Sequence, residues 1–252
     1  QKTKNINLYN VKSFLTNDLR QTLKAELCKI ASQTTSQHYS NLFCDFKRYD
    51  YLPFNFLRNL PKEKVEAMKD NVLLGVKSSP KVRLKPKLEV NRYLVELLGL
   101  FGAEGCITNN NNRVVFGLGS HERDLIDYVC FLIKQIFGFS VESRYSHETA
   151  RTISIDSCLI SLIFREVLKA GINSASKKVP DLIFNLKADL RERYFIGYLS
   201  GDGYPTKIWK KHLIENTTPK EAEKRKFTLA GKSQSFISSF CYVFSYQCIR
   251  IL

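Results

Sequence analysis

The sequence lacks the features that define several common protein classes. No apolar run approaches the roughly 18 residues that a membrane-spanning helix needs, and no secretory signal peptide is visible. The seven cysteines form no CxxC pair, and the four histidines are isolated from one another. This spacing argues against a zinc site and against a disulfide framework. We therefore expect an intracellular protein without a membrane partner, whose cysteines are buried free thiols.

Acidic residues are scarce relative to basic ones. Lys and Arg total 39 against 24 Asp and Glu, which gives a formal net charge of +15. The excess is spread over residues 1–90 and over the rest of the chain. Such a balance predicts a polyanionic partner, most commonly nucleic acid. A basic protein without such a partner is the alternative.

One pattern of residues occurs twice in the chain. LLGLFGAEG at 97–105 aligns without gaps with FIGYLSGDG at 195–203. Each copy begins with bulky apolar residues and has Gly at its third position, an acid at its eighth and Gly at its ninth. The two acids are Glu104 and Asp202. An internal repeat of this kind predicts two structurally equivalent units.

The small residues of each copy are spaced for close helix packing. Gly99 and Ala103 in the first copy, and Gly197 and Gly201 in the second, are four residues apart. Residues at this spacing share one helix face, and small residues there allow two helix backbones to approach closely. The last Gly of each copy suits a left-handed helix terminus. We predict two helices packed side by side, each ending after its acid.

Two carboxylates at neighbouring helix ends would repel each other and the negative ends of both helices. A divalent cation would relieve both penalties, and oxygen ligands suit Mg²⁺ or Mn²⁺. We therefore predict that Glu104 and Asp202 bind this metal, and we assign no ligand role to the carbonyl of Ala103. Two unrelated helices with solvent-facing acids are the alternative interpretation.

The two copies resemble the motifs of the LAGLIDADG homing endonucleases, in the single-chain form with two motifs. The first copy departs from the family pattern mainly at Gly102, where the family often has an acid. The resemblance implies an α+β fold: a pseudo-twofold αββαββα core in which the motif helices form the interface of two halves. It implies a monomer that hydrolyses both strands of a long double-stranded DNA site, with the last acid of each motif holding Mg²⁺ or Mn²⁺. Such enzymes originate in introns or inteins.

Hydrophobic periodicity after the first motif predicts the remaining elements of one half-domain. We expect strands at 113–118, 141–146 and 151–157, and helices at 122–137 and 158–170. The resemblance implies that the strands lie on DNA, with alternate side chains toward the major groove. The candidate DNA contacts are Arg113, Arg144, Tyr145, Arg151, Lys207 and Lys210.

A lysine completes the predicted catalytic site. Many members of the family carry a K-x-[IV]-P element whose Lys contributes to the active site. In SASKKVPDLIF at 174–184, Lys177 matches this element and its neighbour Lys178 is the alternative. Lys232 is a weaker candidate for the equivalent position in the second half. An ammonium group there would polarise the attacking water or offset charge on the phosphate, whereas ordinary surface lysines are the other interpretation.

We expect four segments along the chain. Residues 1–75 are predicted to be a mainly helical extension, with a possible DNA-binding helix-turn-helix at 23–60, and residues 76–90 a basic linker or arm. Residues 91–190 form the first half and 191–252 the second. Fewer residues follow Asp202 than separate the two motifs. We therefore expect that part of the second half lies beyond this sequence.

A second functional hypothesis keeps the fold and removes the catalysis. The chain would then be a non-cleaving nucleic-acid-binding protein, either an intron RNA maturase or a DNA-binding regulator. Such relatives often lose one or both motif acids, whereas both acids are present here.

Overall fold

The computed structural model describes residues 6–11, 21, 25, 46, 48–54, 62–68, 71–76, 79–108, 110 and 112–202. The chain divides into two compact units, Gln1–Leu88 and Glu89–Leu252. Each unit contains a four-stranded antiparallel sheet together with helices, so the predicted α+β class is confirmed. Among the described residues, no helix combines the length and the apolar content needed to cross a membrane.

The N-terminal unit is built on a sheet with strand order β2-β1-β3-β4. Its elements are β1 (Ile6–Tyr9), β2 (Tyr51–Pro53), α1 (Lys62–Met68), β3 (Leu73–Val76) and β4 (Ser79–Leu84). Leu8 pairs with both Leu52 and Leu74, so one face of the sheet is apolar. On the other face the guanidinium of Arg83 lies 4.1 Å from the centre of the Tyr9 ring.

This sheet was not predicted, and it corrects the linker predicted at 76–90. Residues 1–75 were expected to be mainly helical, and their described part holds both α1 and three strands. Strand β4 lies within residues 76–90, which were expected to be a linker or arm. Its position at the edge of the sheet explains the prolines and lysines there, because an edge strand tolerates Pro and is commonly protected by charge. The segment without helix or strand between β4 and α2 is therefore short and covers residues 85–91.

The predicted helix-turn-helix lies largely outside the described residues.

The second unit begins with a helix, two strands, a second helix, two more strands and a third helix. Its elements are α2 (Arg92–Glu104), β5 (Gly105–Thr108), β6 (Arg113–Gly119), α3 (Arg123–Phe137), β7 (Ser143–His147), β8 (Ala150–Ile155) and α4 (Cys158–Leu162), which continues as a π-helical turn, Ile163–Val167. Two more helices follow, α5 (Asp181–Phe184) and α6 (Ala188–Asp202). The strands pair antiparallel in the order β5-β6-β8-β7.

The two faces of this second sheet have different environments. Side chains alternate between the faces of a strand, and one face contributes Val114, Phe116 and Ile153 to the core. Phe101 of α2 joins this core, with its ring centre 6.2 Å from Phe116. The opposite face, called the open face below, is half-buried or exposed, and its residues are Cys106, Thr108, Arg113, Val115, Gly117, Arg144, Thr152 and Ser154.

Helices α2 and α6 touch through their backbones. A Cβ atom at Gly99 would overlap the carbonyl oxygen of Tyr194, and a Cβ at Gly197 would overlap that of Glu96. The same sequence offset separates Glu96 from Tyr194 and Gly99 from Gly197, so the two contacts are equivalent under the repeat. The side-chain-free strips of the two motifs therefore meet each other.

The first motif helix ends differently from the prediction. Asn91 caps its start, because its Oδ1 accepts hydrogen bonds from the backbone N–H groups of Tyr93 and Leu94 at 3.1 and 3.2 Å. At its end Gly105 has φ −86° and ψ 157°, which is extended rather than left-handed. A Cβ there would lie 2.7 Å from Cα of Phe101. Close packing, not a positive φ, therefore requires this glycine.

Substitution of the crossing glycines tests the backbone contact. Gly99→Ala or Gly197→Ala should lower the free energy of unfolding by about 2–3 kcal/mol or more, because the new methyl group meets backbone that cannot rotate away. Gly117→Ala is the matched control, since its Cβ would have no neighbour within 4 Å, and it should change stability by less than about 0.5 kcal/mol. Urea unfolding measures all three. Equal effects at the three positions would contradict the crossing.

Candidate functional site

The carboxyl ends of the two motif helices lie at the same edge of their crossing. Gly197 meets Glu96, and Gly201, one turn later, meets Ala103 and Glu104, so α2 and α6 run in the same direction. A Cβ at Gly201 would lie 2.6 Å from Cβ of Ala103 and 3.6 Å from Oε1 of Glu104. Glu104 is thus adjacent to the residue that precedes Asp202. The side chain of Asp202 lies outside the described part of the structure.

Lys177 reaches the same helix end from a loop. Its Nζ donates a hydrogen bond of 3.0 Å to the carbonyl oxygen of Ala103, and the residue is only 8% exposed. The last carbonyls of a helix have no partner within the helix, and a positive charge is favourable there. The structure therefore brings Lys177 to the residue before Glu104, although the two are far apart in sequence.

The loop that carries Lys177 is held by its own hydrogen bonds. Ser176 Oγ accepts from the backbone N–H of Ile172 at 2.9 Å, and Ile172 in turn accepts at 2.8 Å from the N–H of Ile107 in β5. Gly171 has φ +91°, and a Cβ there would lie 2.6 Å from Cα of Lys177. The loop conformation thus requires glycine at 171 and fixes the backbone from which Lys177 extends.

The structure separates the two lysines that the sequence left as alternatives. Lys178 Nζ lies 3.7 Å from a carboxylate oxygen of Asp181, and both side chains are substantially exposed. Lys178 therefore belongs to a solvated ion pair, whereas Lys177 lies buried at the end of α2. Lys232 lies outside the described residues.

The charge of Lys177 affects the pKa of Cys106. Burial raises the pKa of the Cys106 thiol, and the positive charge of Lys177 opposes that rise because it stabilises the thiolate. Cys106 is the second residue of β5 and belongs to the open face. The ammonium group therefore influences the edge of the open face as well as the end of α2.

The predicted DNA contacts divide between the two faces of the sheet. Arg113 lies on the open face and pairs with Asp156, and Arg144 lies there opposite Thr152. Tyr145 is in register with Arg151, which places both on the face opposite the open face. The guanidinium of Arg151 lies 4.1 Å from the centre of the Tyr145 ring. These four residues do not form one surface. Lys207 and Lys210 lie outside the described residues.

Sequence analysis missed one group of polar residues at the crossing. Glu96 is 2% exposed, and its carboxylate accepts hydrogen bonds from Tyr128 of α3 and Arg193 of α6. The available signal was a carboxylate within the apolar run VELLGLF, which is the same kind of interruption that identifies Glu104.

The influence of Lys177 on Cys106 can be measured directly. Lys177→Met should raise the thiol pKa and slow alkylation of Cys106 severalfold at pH 8, because only the thiolate reacts. Lys178→Met should leave that rate unchanged. Mass spectrometry of the peptide that contains Cys106 separates its reaction from those of the other cysteines. Equal rates in the Lys177 variant and the unaltered protein would contradict the placement of Lys177.

Comparison with known proteins gives partial matches. No family model matches the sequence. The chain is 28% identical over 161 residues to the DNA polymerase II large subunit of Thermococcus kodakarensis, covering 63% of the chain and 9% of that relative. It is 29% identical over 130 residues to the ATP-dependent DNA helicase Hel308 of the same organism, covering 51% and 11%. It is 27% identical over 134 residues to the replication factor C small subunit of Methanocaldococcus jannaschii, covering 48% and 7%. The chain therefore spans only a small part of the length of these relatives.

Proposed function

We propose that this chain is a site-specific endonuclease of the LAGLIDADG homing type, which hydrolyses both strands of a long double-stranded DNA target. The crossing of α2 and α6 carries the proposal. Two copies of one motif meet there through glycines, and the first motif acid, Glu104, lies beside the end of the second motif helix. In this proposal residues 91–190 form one half of a pseudo-twofold core, and α6 belongs to the other half.

The residues at the helix ends fit a divalent metal. Glu104 supplies a carboxylate, and Asp202 occupies the same position in the second motif. Within the described residues no group of three or more His, Cys, Asp or Glu could hold an ion. Mg²⁺ does not need such a group, because it commonly binds one or two carboxylates together with water and substrate phosphates. The carbonyl of Ala103 already accepts from Lys177, which supports leaving it out of the ligand set.

Each residue then has a distinct part in phosphodiester hydrolysis. Glu104 and Asp202 would hold Mg²⁺ or Mn²⁺, and the bound metal would supply an activated water and stabilise the leaving oxygen. Lys177 would place a fixed positive charge beside the phosphate as negative charge develops on it. The loop orders this ammonium before substrate binds, and such preorganisation makes electrostatic stabilisation effective.

The open face is the proposed DNA surface. Antiparallel strands of this size fit the major groove, and the net charge of +15 favours a polyanion. Arg113 and Arg144 are the stronger candidates for base or phosphate contacts, because they lie on this face. Tyr145 and Arg151 are weaker candidates, because they lie on the opposite face.

The relatives support the proposal that the matched segment is an inserted element, separate in function from the proteins that contain it. Their names describe a DNA polymerase subunit, a DNA helicase and a replication factor, and each is matched over 11% of its length or less. A short segment shared by proteins of different function is what an inserted element would produce. Endonucleases encoded in introns or inteins are such elements, so we propose that origin and transfer none of the relatives' own activities to this chain.

Cleavage of a randomised duplex library tests the proposed activity. The protein should cut selected duplexes with Mg²⁺, and Glu104→Gln and Asp202→Asn should each lower the rate by at least about a hundredfold, because each removes a charged metal ligand. Glu142→Gln, a change at an exposed acid, should have no effect. An Asp202→Asn protein that cuts at the normal rate would overturn the assigned roles. Tight binding without cleavage in any divalent metal would favour a non-cleaving binder.

A charge placed on the open face tests the proposed DNA surface. Gly117→Glu adds a carboxylate at a position with no neighbouring atom within 4 Å of the new Cβ, so the fold should be preserved. Affinity for a selected duplex, measured by fluorescence anisotropy in Ca²⁺, should fall by about tenfold or more because the new charge repels phosphates. Gly117→Ser is the neutral control and should bind nearly normally. Equal affinities of the two variants would place the DNA elsewhere.

A further inference from the structure

The buried carboxylate of Glu96 is shared between three helices. Its Oε2 accepts a hydrogen bond from the Tyr128 hydroxyl on α3, and its Oε1 lies 3.1 Å from Nη1 of Arg193 on α6. The Glu96 side chain is 3% exposed, whereas that of Arg193 is 32% exposed. Burial raises the pKa of the Tyr128 phenol, and its hydrogen bond to Glu96 raises it further, so the hydroxyl is a donor at neutral pH. The carboxylate is thus satisfied from both sides.

The same residue takes part in the backbone crossing. The carbonyl of Glu96 is the atom that a Cβ at Gly197 would overlap, and Arg193 lies one helical turn before Gly197, on the same side of α6. Glu96 therefore meets α6 twice, through its backbone at Gly197 and through its side chain at Arg193. Packing between the two strips of small residues is not directional. A buried, charge-assisted hydrogen bond is directional, so it can oppose sliding and rotation of one helix along the other.

We infer that the Glu96–Arg193 ion pair is a positioning device that sets the register of α6 on α2, and thereby the separation of Glu104 from Asp202. This inference rests on the proposed function, because it gives the register a purpose at the metal site. Neither residue touches the metal or the DNA in this scheme. Glu104 lies eight residues after Glu96, and Asp202 lies nine residues after Arg193, so a small rotation of α6 at the ion pair would move Asp202.

Metal dependence separates positioning from simple stabilisation. In Arg193→Met and in the double variant Glu96→Gln with Arg193→Met, the Mg²⁺ concentration for half-maximal cleavage should rise about tenfold because a shifted α6 would misplace Asp202, a loss comparable to that caused by removing a group that orients a metal ligand. The value of kcat should fall by a similar factor, while KM for DNA stays unchanged because the open face is untouched. Arg193→Lys keeps a cation and should restore much of the metal affinity. The double variant carries no unpaired buried charge, so it should fold even if a single variant does not.

Tyr128→Phe is the matched control, because it removes a bond to Glu96 but leaves the pair between α2 and α6. It should lower thermal stability without changing the Mg²⁺ midpoint. Electron paramagnetic resonance of Mn²⁺ without DNA gives a second measurement, in which the double variant should bind Mn²⁺ about tenfold more weakly than the unaltered protein.

Two results would overturn the inference, and only the second would also overturn the proposed function. Normal cleavage by the unaltered protein with an unchanged Mg²⁺ midpoint and Mn²⁺ affinity in the double variant would overturn the positioning role alone. Absence of both cleavage and Mn²⁺ binding in the unaltered protein would overturn the proposed function and this inference with it.

Discussion

The backbone contact between α2 and α6 is the constraint on which the rest of the second unit depends. Glycine inside a helix costs about 1 kcal/mol relative to alanine, so Gly99 and Gly197 make each isolated helix less stable. The cost is offset when the two glycines face the partner backbone, because close packing gains dispersion contacts that a wider spacing would lose. The helices are therefore specified as a pair. Their shared direction then brings two acid-bearing ends to one edge, which is the geometry the proposed metal site requires.

That edge would be electrostatically unfavourable without a compensating charge. The carboxylate of Glu104 sits where a helix already presents its negative end. Lys177 supplies the opposite charge, and its burial is tolerable because its ammonium group donates a hydrogen bond to the Ala103 carbonyl. The lysine is not delivered by a helix or strand but by a loop whose shape depends on Gly171. The helix crossing thus sets the position of the acids at this edge, and the loop supplies the positive charge. The crossing depends on its glycines, and the loop depends on Gly171.

The parts of this fold that could be predicted are those encoded by local patterns. The periodicity of 113–137 and the alternation at 150–155 are short-range features, and the structure has the expected helix and strands there. The glycine spacing was informative for the same reason. The N-terminal sheet was missed because β1 pairs with β2 across a long separation, with Asn7 opposite Pro53, and no local signal announces such a partner. Each of its strands is also too short for a clear period.

Within the site, the limit of prediction was side-chain direction. Lys177 and Lys178 are adjacent, and only the loop conformation decides which one turns toward α2. The division of Arg144 from Tyr145 follows the same logic, because neighbouring strand residues point to opposite faces once the register is set. Register depends on pairing with β8, which includes an irregularity after Tyr145. The sequence therefore predicted which residues are candidates for the site, but not the direction in which each side chain points.

The crossing also shows how a repeat within one chain can become asymmetric. The backbone contacts of Gly99 and Gly197 are equivalent, yet the position equivalent to Glu96 is Tyr194, and the position equivalent to Arg193 is Val95. One side of the crossing carries an ion pair and the other carries apolar and aromatic side chains. Two identical chains could not differ in this way, because a substitution in one would appear in both. Under the proposed function, the same freedom would extend to the residues of each half that contact DNA, so the target of a single chain would not need to be palindromic.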